Sequence, residues 1–228
     1  MKIYNQSKLI KQYPWDVLIV LDACRYDYFS ASLSNTMLCG TLIKADSNSK
    51  NTERWYYEHW SRKNEDTILI SANPHSKLSG CYKNFFMAVE VWEEDNWVYP
   101  EPALDVLLDL QKEYDGKKFV VHLIPPHLPF IGKEGKKFLE KLGAYGNEYN
   151  VYRTVEKYAR KNGWDEIIKY YCESIIEVLN RIEKYIPKMK GNIIITADHG
   201  EIIGENNCYM HNIRSDEILI IPWMVIER

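Results

Sequence analysis

The strongest constraint on the fold is the segment from Trp15 to Leu21 (W-D-V-L-I-V-L), which is almost wholly apolar and ends at Asp22. A strand with one face in water alternates apolar and polar residues, whereas a strand buried on both faces is apolar throughout. The segment therefore predicts an inner strand of a parallel sheet, buried on both faces.

Further segments of the chain repeat this pattern and alternate with helical ones. Short apolar runs predict four more strands, at Thr67–Ser71, Lys117–Ile124, Asn192–Thr196 and Glu217–Ile226. Apolar stripes at helical spacing predict helices at Pro102–Tyr114 and Trp164–Ile186. We expect Pro125, Pro126 and Pro129 to stop the third strand and Pro222 to interrupt the last one. This alternation predicts a doubly wound α/β fold, a three-layer sandwich around a mostly parallel central sheet.

The length of 228 residues fits one domain covering 1–228 rather than two small ones. The Gly- and Lys-rich segment Lys133–Tyr149 has no strong period. It is predicted to be a surface segment or an insertion near residues 131–160.

Composition and charge narrow the function classes. The net charge of -3 shows no excess of basic residues, which proteins use to bind the phosphates of nucleic acids. No nucleic-acid partner is therefore expected. No apolar run reaches the roughly 18–20 residues of an integral membrane segment, and Met1–Trp15 lacks the apolar centre of a signal peptide. Five scattered cysteines without a C-x-x-C pair indicate a reducing compartment. From these features a cytoplasmic location is predicted.

Polar side chains follow three of the predicted strands. These are Asp22, His127, which comes after the prolines, and the pair Asp198 and His199. Ligands of open α/β sheets bind outside the carboxyl ends of the strands, so this edge is where we expect a site.

The tetrapeptide Asp198-His199-Gly200-Glu201 is the strongest local signal. Adjacent strand residues face opposite sides of a sheet, but at a strand end both side chains can converge on one ion, with Gly200 allowing an unusual backbone angle. Carboxylate and imidazole together suit Zn²⁺ or Mn²⁺. A polar strand-to-loop transition without a ligand is the alternative.

Asp22 closes a buried run, where a carboxylate is costly unless it is paired or bound to a metal. The alternative is a helix N-cap, a role that Asp27 could equally fill. Arg25, between the two, could simply neutralise a neighbouring carboxylate.

The five other histidines differ in their context. His127 lies in the proline loop and is the better ligand candidate, whereas His122 lies within a strand and could be a core histidine. His211 could fold back over the site from a loop or lie on the surface. His59 and His75 have no supporting context and are interpreted as structural.

Hydroxyl groups are dense in the segment Ala45–Trp60, just before a helix-like stretch. A hydroxyl at a helix N-terminus gains from the backbone amides and the helix dipole, which suits a nucleophile. Plain capping by Ser49 or Thr52 is the alternative.

Taken in order, these segments resemble the alkaline phosphatase/sulfatase superfamily, and in particular its sulfatase-like hydrolases. The resemblance runs from Trp15 to Val225. The segments that carry it are V-L-I-V-L-D-A-C-R-Y-D, S-K-N-T-E-R-W, I-S-A-N-P, H-L-I-P-P-H-L-P-F-I-G, I-I-I-T-A-D-H-G-E-I-I-G-E, Y-M-H and I-P-W-M-V.

The resemblance implies a metal-dependent hydrolase of phosphate or sulfate esters that works through a covalent intermediate. One divalent ion, Zn or Mn, would be held by the nucleophile Thr52 with Asp22, Asp198 and His199. Ser49 and Ser47 are the second and third choices of nucleophile. His127, also assigned a catalytic role, would with His211 bind a second metal or the substrate oxyanion.

Substrate contacts are assigned to His122, Arg25 and Asn73. The expected substrate is a small-molecule, lipid-linked or sugar-linked phosphate or sulfate ester.

The chain also departs from the superfamily pattern. It lacks the C/S-x-P-x-R motif of sulfatases proper, which disfavours a formylglycine enzyme. The third ligand that two-metal phosphatases usually supply is an Asp, for which Asp95 and Asp105 are the candidates. A phospho-group transferase of the same superfamily and a degenerate, non-catalytic metal-binding member remain the alternatives.

Overall fold

The fold is built on one eight-stranded sheet with the strand order β1-β3-β10-β7-β2-β6-β4-β5. The computed structural model describes residues 2–92, 98–144, 148–211 and 213–227. The sheet strands are β1 (Ile3–Asn5), β2 (Val17–Asp22), β3 (Gly40–Asp46), β4 (Asn64–Ser71), β5 (Phe85–Glu90), β6 (Lys118–Pro126), β7 (Ile193–Ala197) and β10 (Ile220–Ile226). The short strands β8 (Ile202–Ile203) and β9 (Tyr209–Met210) form a separate hairpin.

The central strands β7, β2, β6 and β4 pair in parallel, and every residue of β2 is buried. This confirms the predicted α/β class with a mostly parallel sheet. The exception is β10, which runs antiparallel to both of its neighbours, β3 and β7.

Helices flank the sheet and cover its apolar faces. They are α1 (Gln6–Gln12), α2 (Tyr26–Ser32), α3 (Thr52–Trp60), α4 (His75–Leu78), α5 (Glu101–Glu113), α6 (Lys133–Leu142), α7 (Glu148–Asn162), α8 (Asp165–Glu183) and α9 (Asp216–Leu219). The predicted stripe of α8 is buried, including Ile175, Val178 and Leu179. None of the helices within the described ranges combines the length and the apolar character that crossing a membrane requires.

Three local predictions about the strand ends differ from the structure. Pro125 and Pro126 do not stop β6, because Pro126 still aligns with Asp22 of β2 across a register shift. Pro222 does not interrupt β10, because pairing with β7 begins only at Trp223. The predicted start of that strand is instead the short helix α9.

The segment predicted to lack regular structure contains helix α6. Its length of ten residues and its glycine hide the periodicity, yet Phe138 and Leu139 are buried. Gly135 fits there because a Cβ would lie 2.8 Å from Phe130 Cβ. The edge strands β1 and β5 and the inner strand β3 were also not predicted, since exposed or partly exposed strands carry no continuous apolar run.

Candidate metal centre and nucleophile

The three strands that deliver the candidate residues are neighbours in the sheet. Strand β2 pairs on one side with β7 and on the other with β6, all in parallel. Their carboxyl ends therefore lie at one edge, which places Asp22, Asp198 and His127 beside one another. The sequence order alone predicted the strand ends but not this adjacency.

Asp22, Asp198 and His199 form the first cluster, in which all three side chains are buried. His199 Nε2 lies 3.5 Å from Asp22 Oδ1 and 3.5 Å from Asp198 Oδ2. Two ligand atoms that each lie about 2.0–2.1 Å from a tetrahedral zinc ion are about 3.4 Å apart. The spacing of these atoms therefore suits a shared ion.

The hydrogen bonds of the first cluster also fit a cation. Asp22 Oδ1 is buried and has no hydrogen-bond partner among the described residues, although a buried carboxylate oxygen is costly to leave unpaired. Burial and the neighbouring Asp198 raise the pKa of Asp22. His199 Nδ1 contacts Gly200 O at 2.8 Å, which leaves Nε2 as the atom that faces the carboxylates. A divalent ion would satisfy Asp22 Oδ1 and balance the two carboxylates.

Asp198 is held in place by its surroundings. Its Oδ1 accepts the backbone N–H groups of Ala23 and His199, at 3.1 Å and 2.8 Å. Burial acts to raise the pKa of Asp198, but His199, His122 and the Thr52 hydroxyl outweigh it, so the pKa lies well below the usual range. The carboxylate is therefore ionised at neutral pH.

Backbone conformation at the two strand ends is also unusual. Ala23 has φ +55°, a left-handed conformation that is costly for a residue with a Cβ. Gly200 is needed for a different reason than predicted: its φ is not in that region, but a Cβ there would lie 2.0 Å from Glu217 O. The glycine therefore permits the close approach of helix α9.

Thr52 is the hydroxyl that the structure brings to the first cluster. It is the first residue of α3, and its Oγ1 donates to Asp198 Oδ2 at 2.7 Å and lies 3.5 Å from His199 Nε2. Asn51 caps the helix by accepting from Arg54 N, so capping does not explain Thr52. The other two candidate hydroxyls, Ser47 and Ser49, are bonded to each other's backbone.

Asp22 likewise has no capping role. The next helix, α2, has Arg25 at its N-cap position and no side-chain capping bond. This leaves the metal-ligand interpretation of Asp22, with Asp27 engaged by the Arg25 guanidinium instead.

His127, Glu201 and His211 form the second cluster, with possible ligand atoms within 4.8 Å of one another. His211 Nδ1 lies 3.3 Å from Glu201 Oε1. The two clusters adjoin, because the rings of His199 and His211 are 4.8 Å apart between centroids.

Glu201 is the acidic residue that the sequence analysis did not assign. Two aspartates were candidates for the third ligand of a second metal. Asp105 accepts a hydrogen bond from Tyr185 and belongs to neither cluster, and Asp95 lies outside the described residues. The signal was present in the sequence, since Glu201 follows His199 by two residues in the same tetrapeptide. What the sequence could not show is that the chain turns at Gly200 and returns Glu201 to the site.

The charges of the second cluster balance internally. Burial would raise the pKa of Glu201, but His211 and His127 override it and lower the pKa. Burial would lower the pKa of His211, but the Glu201 carboxylate overrides it and raises the pKa. The Glu201 carboxylate and the His211 imidazole therefore each favour the charged form of the other.

The structure does not place the three predicted substrate-binding residues against open space. The Arg25 guanidinium binds Asp27 and Glu205, each at 2.6 Å, and its side chain is 7% exposed. It therefore ties the loop after β2 to the loop after β8, and its predicted contact with substrate stays a prediction.

Asn73 and His122 support the carboxylates of the first cluster. Asn73 Nδ2 donates to Asp22 Oδ2 at 2.6 Å, and His122 Nε2 lies 3.5 Å from Asp198 Oδ2. His122 is wholly buried and also contacts the Tyr56 hydroxyl at 2.8 Å. Both side chains therefore lie against candidate metal ligands, and their predicted contact with substrate stays a prediction. His59 lies outside both clusters, bonded to Ser7 Oγ, and His75 pairs with Glu53 on the surface.

Comparison with known proteins gives matches in structure only. No family model and no curated protein matches the chain by sequence. The integral membrane lipooligosaccharide phosphoethanolamine transferase A from Neisseria meningitidis is 16% identical with TM-score 0.53, covering 93% of this chain and 47% of that one. The chain thus spans about half the length of that protein.

Two further solved structures share the fold. The C-terminal periplasmic domain of EcEptC from Escherichia coli, in complex with zinc, is 11% identical with TM-score 0.54, covering 95% of this chain and 74% of that one. A protein in the alkaline phosphatase superfamily from Vibrio parahaemolyticus is 12% identical with TM-score 0.50, covering 94% and 60%. The resemblance predicted from the sequence is confirmed at the level of architecture: this chain has the fold of the alkaline phosphatase/sulfatase superfamily.

Proposed function

We propose that the chain is a metal-dependent enzyme that transfers the phosphoryl group of an ester to Thr52 and then to water. The observation that carries the proposal is the hydrogen bond from Thr52 Oγ1 to Asp198 Oδ2, at 2.7 Å, within a cluster of possible metal ligands. A hydroxyl at a helix N-terminus beside three such ligands is the arrangement that an activated nucleophile requires.

The residues of this site divide the work between them. Asp22, Asp198, His199 and Thr52 would hold one Zn²⁺ or Mn²⁺ ion, which would lower the pKa of the Thr52 hydroxyl and offset charge on the substrate. Asp198 accepts the hydrogen bond of the Thr52 hydroxyl and so fixes Oγ1 in one orientation. The low pKa of Asp198 makes its carboxylate a weak base. His211, kept cationic by Glu201, can donate to a non-bridging oxygen of the ester.

The reaction would have two steps that balance. The Thr52 oxygen forms a bond to phosphorus as the bond to the ester oxygen breaks, and the leaving oxygen takes up a proton. Water then attacks the phosphothreonine, which releases phosphate and restores the hydroxyl. A sulfate ester could follow the same course.

Transfer to an acceptor other than water is the second candidate. It is favoured by the structural likeness to phosphoethanolamine transferases. The two candidates share the first step and differ only in what attacks the covalent intermediate. A lipid-linked or sugar-linked phosphate ester is the substrate class that both would use, and a cytoplasmic location remains a prediction.

Trapping of the intermediate tests the proposal. The chain would be loaded with Zn²⁺ or Mn²⁺, mixed with aryl phosphate, phosphodiester or sulfate ester, quenched in acid and digested for mass spectrometry. We expect the modification on Thr52, and we expect Thr52→Val to lower turnover by on the order of 10³ or more while keeping the fold. Ser49→Ala is the matched control, because its hydroxyl is bonded to the backbone.

The acceptor would be identified in the same assay. Release of inorganic phosphate at the rate of leaving-group release indicates hydrolysis, whereas acceleration by an added alcohol acceptor indicates transfer. A modification on a residue other than Thr52, or full turnover by Thr52→Val, would contradict the proposal.

A further inference from the structure

A tyrosine from helix α7 enters the second cluster. The Tyr152 hydroxyl donates to Glu201 Oε2 at 2.5 Å and lies 2.9 Å from His127 Nε2. Its ring packs on His127, with centroids 5.3 Å apart, and on Tyr209, with centroids 4.9 Å apart. The segment near residues 131–160 thus contributes a side chain to the edge where the central strands end.

The hydroxyl oxygen occupies the space between the two ligand atoms that it touches. An ion shared by His127 Nε2 and Glu201 Oε2 would lie about 2.0–2.2 Å from each of them. A hydroxyl oxygen at 2.9 Å and 2.5 Å from the same atoms stands in that place. A cation shared by His127 Nε2 and Glu201 Oε2 would therefore compete with the Tyr152 hydroxyl for both atoms.

The ligand atoms of the second cluster already contact polar groups of the chain. Glu201 accepts from Tyr152 and faces His211 Nδ1 at 3.3 Å and 3.4 Å. His127 Nδ1 contacts Leu128 O at 2.7 Å, and its other nitrogen contacts the tyrosine hydroxyl. The first cluster differs, since Asp22 Oδ1 has no partner among the residues that the structure describes.

We propose that Tyr152 closes the second cluster to divalent cations, so that the chain binds one ion where its ligand set could hold two. The inference rests on the proposed function only in taking the first cluster as the site of that one ion. Tyr152 then sets the metal stoichiometry: the second cluster meets the substrate with hydrogen-bond donors, and removal of one hydroxyl converts it to a metal site.

Metal stoichiometry of Tyr152→Phe tests the inference directly. The full chain would be stripped with a chelator and titrated with Zn²⁺, with bound metal per chain measured by mass spectrometry and heats by calorimetry. We expect one ion in the wild type and two in Tyr152→Phe, which keeps the ring and deletes only the oxygen. Tyr158→Phe is the matched control, because that hydroxyl on α7 bonds Glu166 instead, and it is expected to bind one ion.

A double variant locates the added ion. In Tyr152→Phe/Glu201→Gln the gained ion should be lost, because the carboxylate ligand of the second cluster is gone. Equal stoichiometry in the wild type and Tyr152→Phe would overturn the inference, and so would fewer ions in Tyr152→Phe, which would make Tyr152 a ligand.

The test separates this inference from the proposed function. If the first cluster binds no ion, the wild type would hold none and Tyr152→Phe one, which would refute the proposed function and leave the role of Tyr152 intact. If Thr52 is the nucleophile but Tyr152 is inert, phosphothreonine would form while both proteins hold the same number of ions.

Discussion

The two clusters at the edge of the sheet lie side by side but differ in charge and in hydrogen bonding. The first cluster has two carboxylates and one imidazole, and Asp22 Oδ1 has no partner among the described residues. The second has one carboxylate and two imidazoles, and Tyr152 bridges two of its groups. The balance of charge and hydrogen bonds, more than the ligand types, decides which cluster needs a cation.

The pKa directions express the same difference. Burial and Asp198 raise the pKa of Asp22, so the first cluster resists carrying both charges without a cation. In the second cluster, burial is outweighed by His211 and His127, and the pKa of Glu201 is lowered. A variant that removes one charge should therefore have opposite consequences in the two places.

The largest effect is expected from Asp22→Asn. This change should weaken Zn²⁺ binding by more than about 100-fold, because loss of a ligand exceeds the 10–100-fold cost of losing its support. The metal-free variant should be at least as stable as the metal-free wild type, since a buried like-charge pair is removed. Calorimetric titration with Zn²⁺ and urea unfolding without metal measure the two expectations.

Asp105→Asn is the control for this experiment. It removes an exposed carboxylate that bonds Tyr185 and belongs to neither cluster, so metal affinity should not change. If Asp22→Asn bound Zn²⁺ with wild-type affinity, Asp22 would not be a metal ligand, and the proposed difference between the two clusters would be wrong.

An intermediate effect is expected from Glu201→Gln. Metal binding at the first cluster should change little, while kcat/KM should fall about tenfold or more because His211 loses the charge that positions it. Glu201 raises the pKa of His211, so activity that needs the imidazolium should be lost at a lower pH in the variant. A pH profile of kcat/KM measures both effects.

Glu156→Gln, which breaks a surface pair with Arg160, is the matched change of a glutamate outside the cluster. Its profile should follow that of the wild type. If kcat/KM of Glu201→Gln fell at the same pH as that of the wild type, His211 would not act as a cation.

A separate effect, on stability rather than on metal binding or turnover, concerns His59, a half-buried histidine that belongs to neither cluster. Burial lowers its pKa to about 4, opposite to the direction at His211, which has a carboxylate beside it. The native state therefore stays neutral while the unfolded state takes up a proton below about pH 6.5. The stability this histidine contributes is present above that pH and falls by up to about 3 kcal/mol as pH drops toward 4.

His59→Asn should lack that part of the acid sensitivity. Urea unfolding at pH 7 and at pH 4.5 would show the gap in free energy of unfolding between wild type and variant narrowing in acid. His75 pairs with Glu53 on the surface. In His75→Asn the free energy of unfolding should depend on pH as it does in the wild type. A constant gap would contradict the assigned cause.

Sequence reasoning predicted the parts of the fold that depend on local pattern. Strands β2, β4, β6 and β7 are continuous apolar runs because both of their faces are buried, and α5 and α8 have regular apolar stripes. The partly exposed strand β3 and helix α6 were not predicted. Partial exposure removes the continuous apolar run of a strand, and an internal glycine interrupts the apolar stripe of a helix.

By itself the sequence determined which residues could take part in the chemistry: strand ends that carry Asp22 and the Asp198-His199 pair, and a helix start that carries Thr52. Only the tertiary structure decided which of them meet. Strand order places β2 between β6 and β7, the close packing at Gly200 returns Glu201 to the edge, and α7 brings Tyr152 across more than twenty residues. The contacts of Arg25, Asn73 and His122 were likewise not predictable, because their partners Glu205, Asp22 and Asp198 are distant in sequence.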